Sequence, residues 1–247
     1  MSDDAIPAAT LVLWRDRPGG PDILVVQRSA RMAFAAGAIV FPGGRVDAAD
    51  HQLAAALGRP DDAAKVTAIR ETIEESGVMA GIRDVAEPGL GLELQASLHA
   101  GSDFERLLAQ HGLQLELDLL TPFARWMPAF KQPRKFDTIF YVAEAPAGDW
   151  HPRPQEGECI TAEWATPADL LERLASGAAS AIFPTKRNLE RLAQHARFDS
   201  LLADARNHSL ETIIPWVEDV EGHPHVCIPE GRGYPVTSEP LATAFRA

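Results

Sequence analysis

The chain has 247 residues, of which 46% are hydrophobic and 23% charged, a composition that excludes a disordered protein and is ample for a sizeable core. Its formal net charge is −12, which argues against a general nucleic-acid binder but leaves room for a small anionic substrate met by a local basic patch or a metal. Two cysteines, Cys159 and Cys227, make no disulfide framework and no CxxC pair. The first residues include Asp3 and Asp4 and no basic, apolar leader, and the mostly apolar stretch 32–41 is too short to span a bilayer. The expectation is a cytoplasmic protein with no membrane or nucleic-acid partner.

In chain order, Thr10 to Trp14 and Ile23 to Gln27 read as strands around a Pro18-Gly19-Gly20-Pro21 turn. Ala38 to Phe41 is a further strand, ended by Pro42-Gly43-Gly44, and a short helix is expected from His51 to Leu57. Asp62 opens a helix that runs to Ser76 and stops at Gly77. Residues 79–120 read as less regular, apart from a helix from Asp103 to His111, capped by Ser102 or Asp103 and stopped by Gly112. Phe136 to Ala143 and Ile160 to Ala165 are strands. Helices follow from Thr166-Pro167 to Ala175 and from Pro184 to about Arg197. The tail reads as a hairpin, Thr212 to Val217 and His225 to Ile228, around Glu221-Gly222. Mixed strands and helices in this order predict an α/β or α+β layered fold.

The chemistry concentrates in Arg70-Glu71-Thr72-Ile73-Glu74-Glu75-Ser76-Gly77-Val78. At roughly 100° per residue, with Glu71 at zero, Glu74 falls near about −60° and Glu75 near about +40°. Three carboxylates share one face, while Val66, Ile69 and Ile73 form the opposite, sheet-facing one. Such a face repels itself, by about 0.2–0.5 kcal/mol per i,i+4 pair, and two of its acids sit at the helix end where the dipole disfavours anions. A hard divalent cation removes both problems. The plain alternative is a solvated acidic face. The upstream Phe41-Pro42-Gly43-Gly44 weighs against it, because glycine lets backbone approach a metal or phosphate closely.

This combination resembles the Nudix box. Gly44 matches the leading glycine, and Arg70, Glu71, Glu74, Glu75, Gly77 and Val78 match the second half. Asp50 stands where a glutamate is expected, Thr72 occupies an aliphatic position, and residues 51–69 replace a spacer of seven, an insertion of twelve. The resemblance implies a Nudix-type α/β/α sandwich with a mixed sheet between helices. It implies a Nudix domain over residues 1–205, with the box at 44–78 and an elaboration at 79–120, and an extension over 206–247 packed on the same domain. It also implies Mg²⁺ or Mn²⁺ held by Glu71, Glu74, Glu75 and the Gly44 carbonyl, with Arg70 orienting the glutamates. A distal-loop acid joins them: Glu158, six residues before Trp164, with Glu156 as its rival. The base that takes a proton from water is Glu71, Glu74 or Glu158.

Gln27-Arg28-Ser29, Gly37, the segment 41–50, Arg134-Lys135-Phe136-Asp137-Thr138 and Phe183-Pro184-Thr185 further resemble the coenzyme A diphosphatase-like branch related to peroxisomal Nudix enzymes. That resemblance implies hydrolysis of a pyrophosphate bond in CoA or acyl-CoA. Arg28, Arg31, Lys131, Arg134 and Lys135 are the cations expected to meet the substrate phosphates. Trp126, Phe130 and Phe136 either stack on a base, line an acyl channel or belong to the core. An ADP-ribose or NAD(H) diphosphatase and a non-catalytic nucleotide-binding module are the alternatives. His223 and His225 chelate no metal without a third ligand, and Cys159 has no partner histidine placed by the sequence. The tail hairpin and the 79–120 segment are the two candidate contacts for a homodimer.

Overall fold

The computed structural model describes residues 5–31, 35–85, 87–128 and 135–244. The strands are β1 (Ala5–Arg15), β2 (Asp22–Arg28), β3 (Ile39–Val40), β4 (Gly43–Arg45), β5 (Thr121–Trp126), β6 (Lys135–Glu144), β7 (Cys159–Ala165), β8 (Trp216–Val220), β9 (His223–Cys227) and β10 (Ser238–Pro240). The α-helices are α1 (Ala48–Ala56), α2 (Ala63–Ser76), α3 (Pro88–His99), α4 (Phe104–His111), α5 (Pro167–Ser176), α6 (Phe183–Leu192), α7 (Phe198–Asn207) and α8 (Leu241–Ala244).

Seven strands form one mixed sheet in the order β3-β2-β1-β6-β5, with β4 also on β1 and β7 also on β2. Among the described strand pairs of this sheet, only β1 and β6 run parallel, in register from Ala5 opposite Lys135 to Trp14 opposite Glu144. Side chains of a strand alternate between faces, and the two cores follow that alternation. Ala9, Leu11 and Leu13 of β1 and Tyr141 and Ala143 of β6 face a core shared with α1, α2, α3 and α4. Val12, Trp14, Phe140 and Val142 face a second core with α5, α6 and α7. The result is the expected layering, a mixed sheet between helices. Val226, Ile228 and Tyr234 of the tail pack into the second core.

Helix α2 is built as its pattern predicts. Val66, Ile69 and Ile73 are fully buried against the sheet, each burial contributing about 1.5–3 kcal/mol. Gly77 ends the helix at a φ of 71°, and its N–H bonds the Ile73 carbonyl. The unexpected Thr72 is satisfied in the interior: its hydroxyl donates to the Ala68 carbonyl at 2.7 Å.

Several expectations need correction. Gly43 and Gly44 lie in a strand, β4, paired antiparallel with Thr10 and Ala9, and not in a turn. The expected strand from 38 to 41 shrinks to Ile39–Val40. Helix α1 begins three residues before His51, because Asp47 and Asp50 form a capping box. Segment 79–120 contains α3, hidden in the sequence by two glycines in its first turn. Helix α6 stops at Leu192, and the separate α7 follows. In the tail, β8 starts at Trp216, four residues after Thr212, and β10 adds a third strand.

Candidate active site

The acidic end of α2 meets β4, and that packing makes the site. Gly44 lies against Glu71 so closely that a Cβ on it would stand 2.4 Å from the Glu71 carboxyl carbon. The neighbouring Gly43 N–H donates to Glu75 Oε2 at 3.0 Å. A Cβ at Gly43 would collide with backbone, 2.5 Å from the Ala9 carbonyl oxygen. The glycine pair therefore lets the strand seat itself directly on two of the three box glutamates.

Arg70 organises the other side. Its Nε and Nη2 donate to the two Asp50 oxygens at 2.9 and 2.8 Å, and its Nη1 donates to Glu71 at 2.7 Å. Glu74 Oε2 lies 3.6 Å from the same Nη1. Nη2 also reaches the Arg45 carbonyl at 3.3 Å, tying the strand end to the helix. Asp50 is 2% exposed and accepts two more bonds, from the Thr67 hydroxyl at 2.8 Å and the Asp47 N–H at 3.0 Å. Burial opposes the Arg70 charge, but the hydrogen bonds and charges of Asp50 and Glu71 outweigh it and raise its pKa.

The three glutamates are not a solvated face. Glu75 is 2% exposed. Burial, then repulsion from Glu71, pushes its carboxyl up to about 8, against the opposing pull of Arg28 and the Gly43 N–H. Burial pushes Glu71 up to about 7, with the Glu74 charge adding and Arg70 opposing. Burial also raises Glu74, with Glu158 as a further repelling charge. Carboxyls crowded and desolvated in this way are held at a cost that a cation offsets. Among the described residues, however, no three acidic or imidazole groups already converge as a finished metal cage. Arg70 lies against Glu71 and Glu74, while Arg28 lies 3.6 Å from Glu75.

Glu158 sits half-buried in the turn before β7, where its carbonyl accepts the Ser29 N–H at 2.6 Å. Its charge acts on both Glu74 and Glu75, and Glu156 is exposed. Arg28 is drawn to Glu75 rather than held outward. Arg31 is exposed, and Lys135 opens β6 half-buried opposite Ala5. Lys131, Arg134 and Phe130 lie outside the described residues. Trp126 is a core residue, its indole donating to the Tyr234 hydroxyl at 3.0 Å. Burial pushes the Cys159 thiol up to about 12, which makes it a poor nucleophile.

Sequence reasoning missed Gln155, which is 5% exposed in the loop before Glu158. Its side-chain amide donates to Glu74 Oε1 at 3.3 Å and lies 2.9 Å from His99 Nδ1. Neither residue stands in a motif, so spacing carried no signal for them.

A solved Nudix hydrolase from Alicyclobacillus acidocaldarius is 31% identical, superposes with a TM-score of 0.70, and aligns over 82% of this chain and 97% of its own. The chain belongs to the Nudix hydrolase family. It is a Nudix enzyme acting on pyrophosphate bonds. No family model matches the chain. Two curated relatives are more distant. The acyl-coenzyme A diphosphatase NUDT19 of Gallus gallus is 25% identical over 85% of this Nudix chain and 74% of its own length. The acyl-coenzyme A diphosphatase NUDT19 of Homo sapiens is 24% identical over 79% of this chain and 66% of its own. Among the described residues, no helix of this Nudix enzyme is long and apolar enough to cross a membrane.

Proposed function

We propose that this Nudix enzyme is a Mg²⁺- or Mn²⁺-dependent diphosphatase of CoA or acyl-CoA. The observation that carries the metal is the Gly44 cradle. Backbone without a Cβ lies against Glu71, and Glu74 and Glu75 lie on the same helix end, an all-oxygen donor set suited to a hard cation. Glu71, Glu74, Glu75, Glu158 and the Gly44 carbonyl are the proposed ligands. When bound, the ion neutralises charge on the phosphate oxygens and makes a water more acidic.

The chain's own residues do the rest. Arg70 holds Glu71 by a hydrogen bond and stands close to Glu74, and is itself held by Asp50. One of Glu71, Glu74 and Glu158 takes a proton from the attacking water. The water oxygen bonds to one phosphorus, and the bridging P–O bond breaks to give two phosphate esters. Arg28, Arg31, Lys131, Arg134 and Lys135 are the proposed cations for the substrate phosphates. A compartment in the cytoplasm and a homodimer remain part of the proposal, as does an extension, 206–247, acting with the Nudix domain.

The CoA assignment is supported by the two diphosphatase relatives and by the Arg-Ser and Phe-Pro-Gly-Gly segments. It is tested by hydrolysis of CoA, acetyl-CoA, dephospho-CoA, ADP-ribose and NADH, with Mg²⁺ or Mn²⁺ and with chelator. Metal-dependent cleavage of CoA species, with dephospho-CoA a poor substrate, is the expected result. Preference for ADP-ribose or NADH overturns the CoA assignment and retains the metal helix. Tight binding without product overturns catalysis itself.

A further inference from the structure

The distal loop and α3 are laced to the end of the box helix by two glutamines that run in opposite directions. Gln95, on α3, donates to the Glu74 carbonyl at 3.1 Å and to the Arg153 carbonyl at 2.8 Å. Gln155, on the loop, donates to the Glu74 carboxylate at 3.3 Å and reaches His99 Nδ1, on α3, at 2.9 Å. The Arg153 N–H bonds the Ser76 carbonyl at 2.9 Å, one of the helix-end carbonyls that α2 leaves free. Glu74 is thus gripped twice, once by backbone and once by side chain.

Gln155 has only two amide hydrogens, and this geometry uses both. One holds a single Glu74 oxygen, and the other is spent on His99 Nδ1, which must then accept, leaving its hydrogen on Nε2. The Gln155 carbonyl accepts the Cys159 N–H at 3.0 Å, so the backbone of this residue is anchored as well. A buried polar side chain so placed has little rotational freedom, and an isolated buried amide would be costly.

We infer that Gln155, braced by His99, is a positioning residue that fixes one oxygen of the Glu74 carboxylate and leaves the other, 3.6 Å from Arg70 Nη1, available to the proposed metal. This rests on the reading of Glu74 as a metal ligand. Outer partners of metal ligands characteristically cost about 10–100-fold in affinity or activity when removed. The arrangement also explains why the 79–120 elaboration packs at this helix end, since His99 and Gln95 both come from it.

The test is Mn²⁺ binding by electron paramagnetic resonance on the full chain without substrate, beside thermal melting and CoA turnover. Gln155→Leu keeps the bulk of the side chain and removes both bonds. It is expected to weaken Mn²⁺ binding about tenfold or more, to lower kcat with little change in KM, and to melt within a few degrees of wild type. His99→Asn retains an acceptor near the Nδ1 position and is expected to keep most of the affinity, whereas His99→Leu loses it. Unchanged Mn²⁺ affinity in Gln155→Leu, or equal loss in both His99 variants, overturns the inference. Glu74→Gln is the reference: if it alone weakens Mn²⁺ binding, the ligand reading stands and the positioning role falls. If Glu74→Gln has no effect, both fall.

Discussion

Asp50 and Arg70 meet as a doubly hydrogen-bonded ion pair, at 2.9 and 2.8 Å, although nineteen residues lie between them. The box insertion is therefore not a slack loop. It folds into the rest of α1 and a short 3-10 turn at Pro60–Asp62, and returns the chain so that Asp50 meets Arg70 of α2.

Removing one member of a buried ion pair strands the other. Asp50→Ala leaves Arg70 and the Thr67 hydroxyl without their main acceptor and is expected to cost about 3–5 kcal/mol of stability. Denaturant melts measure this. Asp50→Asn keeps the shape and loses the charge, so a smaller loss of stability and a fall in kcat are expected, since Arg70 no longer aims Glu71.

The two glycines of β4 predict opposite phenotypes. A Cβ at Gly44 meets the movable end of Glu71, so Gly44→Ala is expected to fold with a near-normal melting temperature and to lose turnover by about 100-fold, roughly the effect of one preorganised electrostatic contact. A Cβ at Gly43 meets fixed backbone of β1, so Gly43→Ala is expected to fail mainly in stability. Paired melting curves and kinetics separate them. Equal destabilisation by both contradicts the cradle described here.

Far from the site, Glu190 supplies a pH dependence of stability. It accepts from Arg187 at 2.7 Å, and its other oxygen is buried without a partner. Burial raises its carboxyl from 4.5 to about 7, with Arg187 and Lys186 opposing. A carboxyl whose folded pKa lies above its unfolded one keeps its proton longer in the native state. The native chain then binds more protons than the unfolded chain between 4.5 and about 7, so stability falls as pH rises through that window. Melting temperatures at about pH 5 and about pH 8, which span most of it, should differ less in Glu190→Gln than in wild type. An equal slope in both removes Glu190 from the account.

Much of this was legible in the residues. The period of Val66, Ile69 and Ile73, with Gly77 behind them, placed α2 to within a residue, because that helix has one buried face and one stop. The β-branched and aromatic content of β6 did the same there. What escaped were features set by tertiary contact. Helix α3 begins Pro88-Gly89-Leu90-Gly91, a poor helical start, yet Gly91 is needed: a Cβ on it would fall 2.1 Å from the Gly77 carbonyl oxygen. Strand β4 is two glycines and an arginine, which read as a turn until β1 pairs with it. The acids of the site were visible by spacing, and their burial was not, because exposure depends on the loops that cover them. Arg28 read as a cation for the substrate phosphates, and its position 3.6 Å from Glu75 rests on tertiary packing, which periodicity does not reveal.

The most direct test of the central claim is metal-dependent hydrolysis by Glu75→Gln beside wild type, with melting temperature measured on the same samples. Glu75 is the most buried of the three box carboxylates and is bonded to Gly43, so the isosteric amide retains the packing while losing the charge that a cation needs. The account predicts hydrolysis of CoA by wild type only with Mg²⁺ or Mn²⁺, no detectable hydrolysis by Glu75→Gln, and a melting temperature that does not fall by more than a few degrees. Wild-type turnover in Glu75→Gln, or hydrolysis that survives chelator, contradicts it.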